Sequence, residues 1–301
     1  MTELHLVAGT AGDATHDLVI TPESADWEWS GLRTLTLGAG ATHRFDTGDT
    51  EVCVLPLSGD YLVDTGDDRF ELAGRESVFE RVSDFAYVGI GSSVEVTAGR
   101  GGELAICSSK ATVAYPARYG PASGVAVEVR GGGQATRQIT NFMSPETWQH
   151  ADKLMCVEVL TPDGNWSSYP PHKHDDSPEC EVNNEEIYYF RIGDAGTTNY
   201  SADGFGMHRT YTGVLPNGEL EIDETVTVRD ADAFLVPRGY HGPCIAAPGY
   251  PMYYLNVLSG PGGERSMAFC DDPAHHWVRD TFTGDNLDPR CPMTTATGPQ
   301  F

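Results

Sequence analysis

The chain has 301 residues and is strongly acidic, with 19 Lys and Arg against 44 Asp and Glu and a net charge of −25 at pH 7. Nucleic acids and anionic membranes bind basic patches, so neither is expected as a partner. No apolar run approaches the roughly 18 residues of a membrane helix, and the N-terminus lacks the basic and apolar regions of a signal peptide.

The seven cysteines are scattered, odd in number and without a CxxC pair. Such a set is typical of reduced, mostly buried thiols in a cytoplasmic protein rather than of a disulfide framework. Cys180 stands in an acidic, loop-like insert and is predicted to be an exposed thiol.

Short segments of alternating hydrophobicity recur along the first half, separated by Gly, Asp and Pro. They are LRTLTLGAG, EVCVLPLSG, DYLVDTGDDRFELAG, SSVEVTAG and GELAICSS, and the GDD at 66–68 is predicted to be a hairpin loop. Strands at intervals of about 8–12 residues indicate a β-sandwich or barrel. Helical periodicity is nearly absent, so the fold class is all-β.

A polar, Gly-rich stretch at 130–137 divides the chain, and we place the boundary between domains 1–125 and 126–301. The halves look like diverged copies, because Glu51 opens a strand as Glu186 does and Ser93 then falls where His241 stands. His43 falls roughly where His172 stands. The interpretation predicts two tandem barrels, of which the first lacks the metal ligands.

His172 and His174 are two residues apart on a predicted strand, so their imidazoles share one face. Glu186 opens the strand IYYF, and alternation groups it with Tyr188, whereas Glu185 would point away. His241 ends the turn-bearing segment VPRGYH. Three imidazoles and one carboxylate on β-strands predict an open site for a divalent metal, at His172, His174, Glu186 and His241.

Several cationic and phenolic side chains surround these positions. Arg209, Lys173 and Arg238 are the candidates for binding the carboxylate of a substrate. Arg209 is the first of them, because a guanidinium buried in the barrel would need an anionic partner. Tyr211 and Tyr188 are candidate catalytic groups. Residue types do not identify the base, since His208 and a metal-bound water are alternatives.

The segments WSSYPPHKHD, EEIYYFRI, GFGMHRTYT, LVPRGYHG and APGYPMYYLNVLSGP resemble, in order, those of the 5-deoxyglucuronate isomerase family. This family of inositol catabolism is related to 4-deoxy-L-threo-5-hexosulose-uronate ketol-isomerase. The resemblance extends upstream through TPESADWEW, DTGDTEVCVLPLSG and RQITNFM. It implies a bicupin, two tandem jelly-roll barrels, with the metal held in the second barrel by His172, His174, Glu186 and His241.

The resemblance also implies a reaction, the conversion of 5-deoxy-D-glucuronate to 5-dehydro-2-deoxy-D-gluconate in myo-inositol catabolism. The metal would assist it through a cis-enediolate. Ligand types leave zinc, manganese and iron open. The expected partner is a small uronate, and exposed strand edges favour a homodimer.

Three alternatives differ in substrate or chemistry. One is a ketol-isomerase of another deoxy-uronate, of the 4-deoxy-L-threo-5-hexosulose-uronate type. The second is a cupin Fe(II) oxygenase, which would consume O2 where an isomerase works without it. The third is a sugar-binding or regulatory cupin, which would bind its ligand without turnover.

Overall fold

The computed structural model describes residues 3–213, 217 and 221–300. The strands up to residue 120 are β1 (His5–Leu6), β2 (Leu18–Ile20), β3 (Ser30–Gly38), β4 (Thr42–Asp46), β5 (Thr50–Pro56), β6 (Gly59–Asp64), β7 (Arg69–Arg75), β8 (Phe85–Val88), β9 (Ser93–Ala98), β10 (Gly101–Lys110) and β11 (Arg118–Gly120). One short helix, α1 (Pro22–Ala25), interrupts them.

The second set of strands is β12 (Ala126–Arg130), β13 (Arg137–Asn141), β14 (Met155–Thr161), β15 (Trp166–Ser167), β16 (His172–Lys173), β17 (Glu185–Ile192), β18 (Gly206–Tyr211), β19 (Asp223–Val228), β20 (Ala233–Val236), β21 (Tyr240–Ala246), β22 (Met252–Ser259), β23 (Cys270–Asp271), β24 (Thr294–Thr295) and β25 (Gly298–Pro299). Short 3-10 helices lie at Ala122–Gly124, Gly133–Ala135 and His276–Thr281. No helix in the described ranges is long and apolar enough to cross a membrane.

These strands form two similar barrels. The first combines the sheets β11-β8-β5-β10-β3-β2 and β4-β9-β6-β7, and the second combines β1-β20-β17-β22-β14-β13-β12 and β19-β18-β21-β16-β23, with β15 beside β21. The order β8-β5-β10-β3 in one recurs as β20-β17-β22-β14 in the other. The all-β, two-barrel fold predicted from the sequence is confirmed, although β1 at the N-terminus joins the sheet of the second barrel.

Strand alternation explains why the central strands are apolar on both faces. In β5, Val52 and Val54 fill the interior of the first barrel, whereas Cys53 and Leu55 belong to the core between the barrels. In β17, Tyr188 and Phe190 point into the second barrel and Ile187 and Tyr189 into the shared core. Because successive side chains face opposite sides, one strand can serve two cores.

Two glutamates tie the barrels together in a reciprocal way. The Glu51 carboxylate accepts hydrogen bonds from the backbone amides of residues 152–154, at 2.6–2.8 Å. The Glu185 carboxylate likewise accepts from the amides of residues 28–30, at 2.7–2.9 Å. Glu51 is therefore the counterpart of Glu185, and the sequence alignment of Glu51 with Glu186 was wrong by one residue.

The strand pairing places the other counterparts. His172 is paired with His241 in the second barrel, and Asp46 is paired with Ser93 in the first. Ser93 thus occupies the position of His241, as the sequence alignment predicted. Asp46 rather than His43 occupies the position of His172, because the alignment was displaced by three residues at this strand.

Candidate metal centre

Four predicted ligand residues come from three strands of the second barrel. The two-residue strand β16 lies against β21, which brings His172 directly opposite His241. Glu186 stands near the start of β17 in the facing sheet and points inward with Tyr188, while Glu185 points to the first barrel. His174 follows β16. The short strand and the turn before His241 thus aim side chains of both sheets at one point inside the barrel.

The cluster centres on the Glu186 carboxylate. Its Oε2 lies 3.0 Å from His174 Nε2 and 3.1 Å from His241 Nε2. One ligand atom from each of these three buried residues lies within 4.8 Å of the others. The His172 ring is partly exposed, with its centroid 4.5 Å from that of His241 and 6.5 Å from that of His174. His172 therefore lies at the rim of the cluster.

Backbone carbonyls set the orientation of the imidazoles. Nδ1 faces the carbonyl oxygen of Asn184 at 2.9 Å in His174, of Gly239 at 3.4 Å in His241 and of Pro170 at 3.3 Å in His172. A carbonyl oxygen only accepts, so each Nδ1 carries a proton and donates it. In the neutral ring this leaves the Nε2 lone pair as a ligand, the arrangement that fixes histidines in metal sites.

The donor set fits a divalent cation. Two Nε2 atoms face one buried carboxylate oxygen, and His241 Nε2 has no hydrogen-bond partner among the described residues. Burial raises the pKa of Glu186, but His241 and His174 outweigh it and hold that pKa below its ordinary value. Burial, with His241 and His174 nearby, also holds the pKa of His172 well below its ordinary value. Burial lowers the pKa of His174, but the Glu186 carboxylate outweighs it and raises that pKa. A carboxylate and neutral imidazoles are the protonation states that bind metal, so metal binding would displace the proton shared by His174 and Glu186.

The cluster opens into a cavity of about 430 Å³ in the second barrel. The polar groups that line it beside the cluster are Glu128, Arg130, Arg137, Asn141, Ser144, Glu146, Thr147, Ser168, Tyr188, Tyr254, Asn256 and Arg279. The Ser168 hydroxyl lies 3.1 Å from both the Tyr188 and the Tyr254 hydroxyls. The volume and the polar wall suit a small, hydroxylated ligand.

The three cations predicted from the sequence lie outside the lining of this cavity. Arg209 is partly exposed and pairs with Asp223 at 2.8 Å, with its guanidinium over the Tyr211 ring. Arg238 is half-exposed and paired with Glu221. Lys173 points away from the cluster, as expected between two inward histidines, and its Nζ lies 2.7 Å from Glu179.

The aromatic candidates divide in the same way. Tyr188 lines the cavity and is buried. Tyr211 lies outside the cavity lining and its hydroxyl donates to Asp272 at 2.5 Å. His208 is fully buried behind Tyr188, within hydrogen-bonding distance of Thr210 and Cys244, and burial lowers its pKa to about 3. On β18 the inward residues are thus His208 and Thr210 rather than Arg209 and Tyr211.

Sequence reasoning missed most of the cavity wall, including Arg137 and Asn256. The alternation Arg137, Ile139, Asn141 along β13 carries the signal, because all three line the cavity. The expectation of seven reduced cysteines was also wrong. Cys180 and Cys270 form a disulfide, because β23 lies beside β16 and the acidic insert folds back over the same strand. A separation of 90 residues conceals that pairing in the sequence.

Comparisons with known proteins agree with this architecture. The 5-deoxy-glucuronate isomerase of Geobacillus kaustophilus is 41% identical over 284 residues, which cover 93% of this chain and 97% of that relative. The 5-deoxy-glucuronate isomerase of Bacillus subtilis strain 168 is 36% identical over 262 residues, 86% of this chain and 91% of the relative.

Solved structures show the same fold. An IolB-like protein from Salmonella typhimurium LT2 superposes with a TM-score of 0.81 at 31% identity, over 92% of this chain and 99% of that chain. The oxalate decarboxylase of Lactobacillus farciminis, at 11% identity and a TM-score of 0.61 over 88% of each chain, shares the bicupin fold alone. The model of the KduI/IolB family matches residues 5–278, and the chain belongs to that family.

Proposed function

We propose that this protein is an aldose–ketose isomerase that converts 5-deoxy-D-glucuronate to 5-dehydro-2-deoxy-D-gluconate in the catabolism of myo-inositol. The names of the relatives supply the substrate. The observation that carries the proposal is the buried Glu186 carboxylate, which faces two imidazole Nε2 atoms in a polar cavity. An open metal site beside a polar wall suits a reaction on neighbouring carbonyl and hydroxyl groups of a sugar.

We propose His172, His174, Glu186 and His241 as the residues that hold one divalent metal ion, which is zinc, manganese or iron. The bound ion would supply Lewis acidity to the two adjacent oxygens of the substrate. The support is the common orientation of the three imidazoles and the approach of the His174 and His241 Nε2 atoms to one carboxylate oxygen. His172 would hold the ion from the rim of the cluster, where its partly exposed ring lines the cavity.

The reaction moves hydrogen within the substrate and needs no co-substrate. A proton leaves C2 and one is delivered to C1, while the hydroxyl proton of O2 is exchanged for one on O1, so that the aldehyde becomes CH2OH and C2 becomes a ketone. Burial and the nearby Glu186 raise the pKa of Tyr188 well above its ordinary value. Tyr188 therefore keeps its proton at neutral pH, and we propose that it donates a hydrogen bond to a substrate oxygen.

We propose residues 1–125 as a structural barrel without metal ligands and 126–301 as the barrel that carries the site. Within the described ranges, the one group of three or more His, Cys, Asp or Glu side chains with metal-binding geometry is His174, Glu186 and His241. We also propose that the protein is cytoplasmic and forms a homodimer.

Anaerobic turnover tests the function. Protein of measured metal content is incubated with 5-deoxy-D-glucuronate in D2O without oxygen and followed by NMR. Formation of 5-dehydro-2-deoxy-D-gluconate is expected, with solvent deuterium at the new CH2OH carbon if the proton exchanges. Metal-loaded protein that leaves this substrate unchanged, but converts 4-deoxy-L-threo-5-hexosulose uronate, would reassign the substrate. Turnover that requires iron and air would establish an oxygenase instead.

A further inference from the structure

A buried arginine in the wall of the cavity forms no salt bridge with the acidic residues that the structure describes. Arg137 begins β13, with its side chain on the same face as Ile139 and Asn141, and all three line the cavity that contains the metal cluster. Only 7% of Arg137 is exposed. The one hydrogen bond of its side chain among the described residues runs from Nη1 to the Ala135 carbonyl oxygen at 3.2 Å.

The other two arginines of the cavity are neutralised. Arg130 pairs with Glu128 at 2.7 Å and is half-exposed. Arg279 forms two hydrogen bonds with Asp271, at 2.5 and 2.6 Å, and its guanidinium lies over the Phe269 ring. In the described part of the chain, Arg137 is thus the cavity arginine that forms no salt bridge, although the Glu128 carboxylate, which pairs with Arg130, is near enough to act on its charge.

An unpaired guanidinium is costly to bury, since a charge away from water needs a partner and several hydrogen bonds. Burial lowers the pKa of Arg137 to about 10, so the group remains charged at neutral pH. The backbone at Gly131 packs closely against the guanidinium. A Cβ at that position would lie 2.9 Å from Arg137 Nη1 and 2.0 Å from the Ala135 carbonyl oxygen. Donors remain unused, and an anion in the cavity would satisfy them.

A second unused donor supports a ligand at this wall. Asn256 lines the same cavity, is 4% exposed, and its Nδ2 has no hydrogen-bond partner among the described residues. Asn256 is paired with Tyr188 across β22 and β17, two residues along from the pair of Glu186 with Leu258. The guanidinium of Arg137 suits the carboxylate of a sugar acid, and the neutral amide of Asn256 in the same cavity suits its hydroxyl groups.

We propose that Arg137 anchors the carboxylate of the substrate, at the end of the sugar acid opposite the carbonyl that reacts at the metal cluster. The assignment rests on the proposed function and replaces Arg209, the candidate from the sequence. It also resolves a conflict of charge, because a protein of net charge −25 repels anions over most of its surface and must attract a uronate by a local cation.

The experiment compares two substrates in wild type, Arg137→Gln and Arg137→Lys. One substrate is 5-deoxy-D-glucuronate, and the other is its neutral analogue with CH2OH in place of the carboxylate. Loss of two charge-assisted hydrogen bonds is expected to lower kcat/KM for the acid about a hundredfold in Arg137→Gln. The neutral analogue should change by less than about threefold, and Arg137→Lys should recover part of the preference for the acid.

Arg209→Gln is the matched control, since it removes the same charge outside the cavity and should keep the wild-type preference for the acid. Metal content and the far-UV circular dichroism spectrum establish that each variant is folded and loaded. A purely structural role for Arg137 would lower turnover of both substrates by the same factor. That result, with the acid-to-neutral ratio unchanged in Arg137→Gln, would overturn the proposal.

Binding separates this inference from the isomerase assignment. If wild type turned over neither substrate, the proposed function would fail, and calorimetric titration with D-glucuronate and with D-glucose would still test Arg137. The anchor predicts that wild type binds the uronate more tightly than the neutral sugar and that Arg137→Gln loses the difference. A wild-type protein without preference for the anion, or a preference that survives in Arg137→Gln, would refute it.

Discussion

Asp175 links the two ligand-bearing segments, and its removal is expected to loosen the metal site. The buried carboxylate accepts a hydrogen bond from the Gly239 amide at 2.9 Å and one from the Ser177 amide at 3.1 Å. Gly239 in turn offers its carbonyl oxygen to His241 Nδ1. Asp175 follows His174 directly, so one side chain couples the segment of the first histidines to the turn that carries the last.

The magnitude follows from these bonds. Asp175→Ala leaves a buried amide unsatisfied and removes a charge-assisted bond, which costs roughly 1.5–3 kcal/mol of unfolding free energy. Metal-site residues that orient ligands typically alter metal affinity by about 10–100-fold when mutated. We therefore expect metal affinity to fall by that factor. Asp175→Asn keeps an acceptor oxygen, so its metal affinity should lie between that of Asp175→Ala and that of wild type.

Competition with a chromophoric chelator measures the affinity, and urea unfolding of metal-free protein measures the stability. Asp176→Ala is the matched control, because it removes the same charge one residue further on, from an exposed side chain. An affinity of Asp175→Ala within twofold of that of Asp176→Ala would show that the link to Gly239 does not position His241, and the reasoning would be refuted.

The remaining predictions concern four other features. His241→Ala should lose metal and turnover together with only modest loss of folding, and a full complement of metal by elemental analysis would contradict the ligand assignment. Arg209→Gln should leave KM for the uronate unchanged, because Arg209 lies outside the cavity; a rise of tenfold would return it to carboxylate binding. Glu185→Ala should lower the unfolding free energy by roughly 2–4 kcal/mol in urea, because three backbone amides lose their acceptor, whereas Glu28→Ala, on an exposed side chain, should not. Thiol titration of denatured protein should find five reactive groups before reduction and seven after it, since Cys180 and Cys270 are bonded; seven before reduction would exclude the disulfide.

Alternation of side chains along a strand predicts which residues share a face, but not which face is turned to the barrel interior. Alternation places Glu185 and Glu186 on opposite faces, but the residues that follow are apolar on both faces, so the contacts of the folded chain and not the pattern show that Glu186 is the inward one. The segment MHRTYT had two solutions, since His208 and Thr210 alternate with Arg209 and Tyr211. The inward pair proved to be the one that satisfies its polar atoms locally, through Cys244 and one another. Such pairing depends on a neighbouring strand that the sequence does not place.

Arg137 escaped notice for a related reason. In the sequence it is one of several arginines near a Gly-rich stretch, and its chemistry depends on whether a neighbouring carboxylate pairs with it or with another cation. Arg130 and Arg279 lie in the same cavity but are neutralised, and that difference becomes visible only once Glu128 and Asp271 have positions. Residue types can nominate a cation, whereas only packing shows whether its charge is already used.

The first barrel contributes to the metal centre although its own counterparts offer no such ligand set. Strand pairing puts Val52 at the position of Glu186 and Ser93 at that of His241, and Val52 belongs to an apolar interior. The barrel nevertheless supplies the three amides that hold Glu185, one residue before the proposed ligand Glu186. Because adjacent strand residues share a backbone, fixing Glu185 on the outer face also fixes where Glu186 points on the inner face. The first barrel, packed against the site, therefore helps to orient the proposed ligand Glu186, which the second barrel alone would hold less firmly.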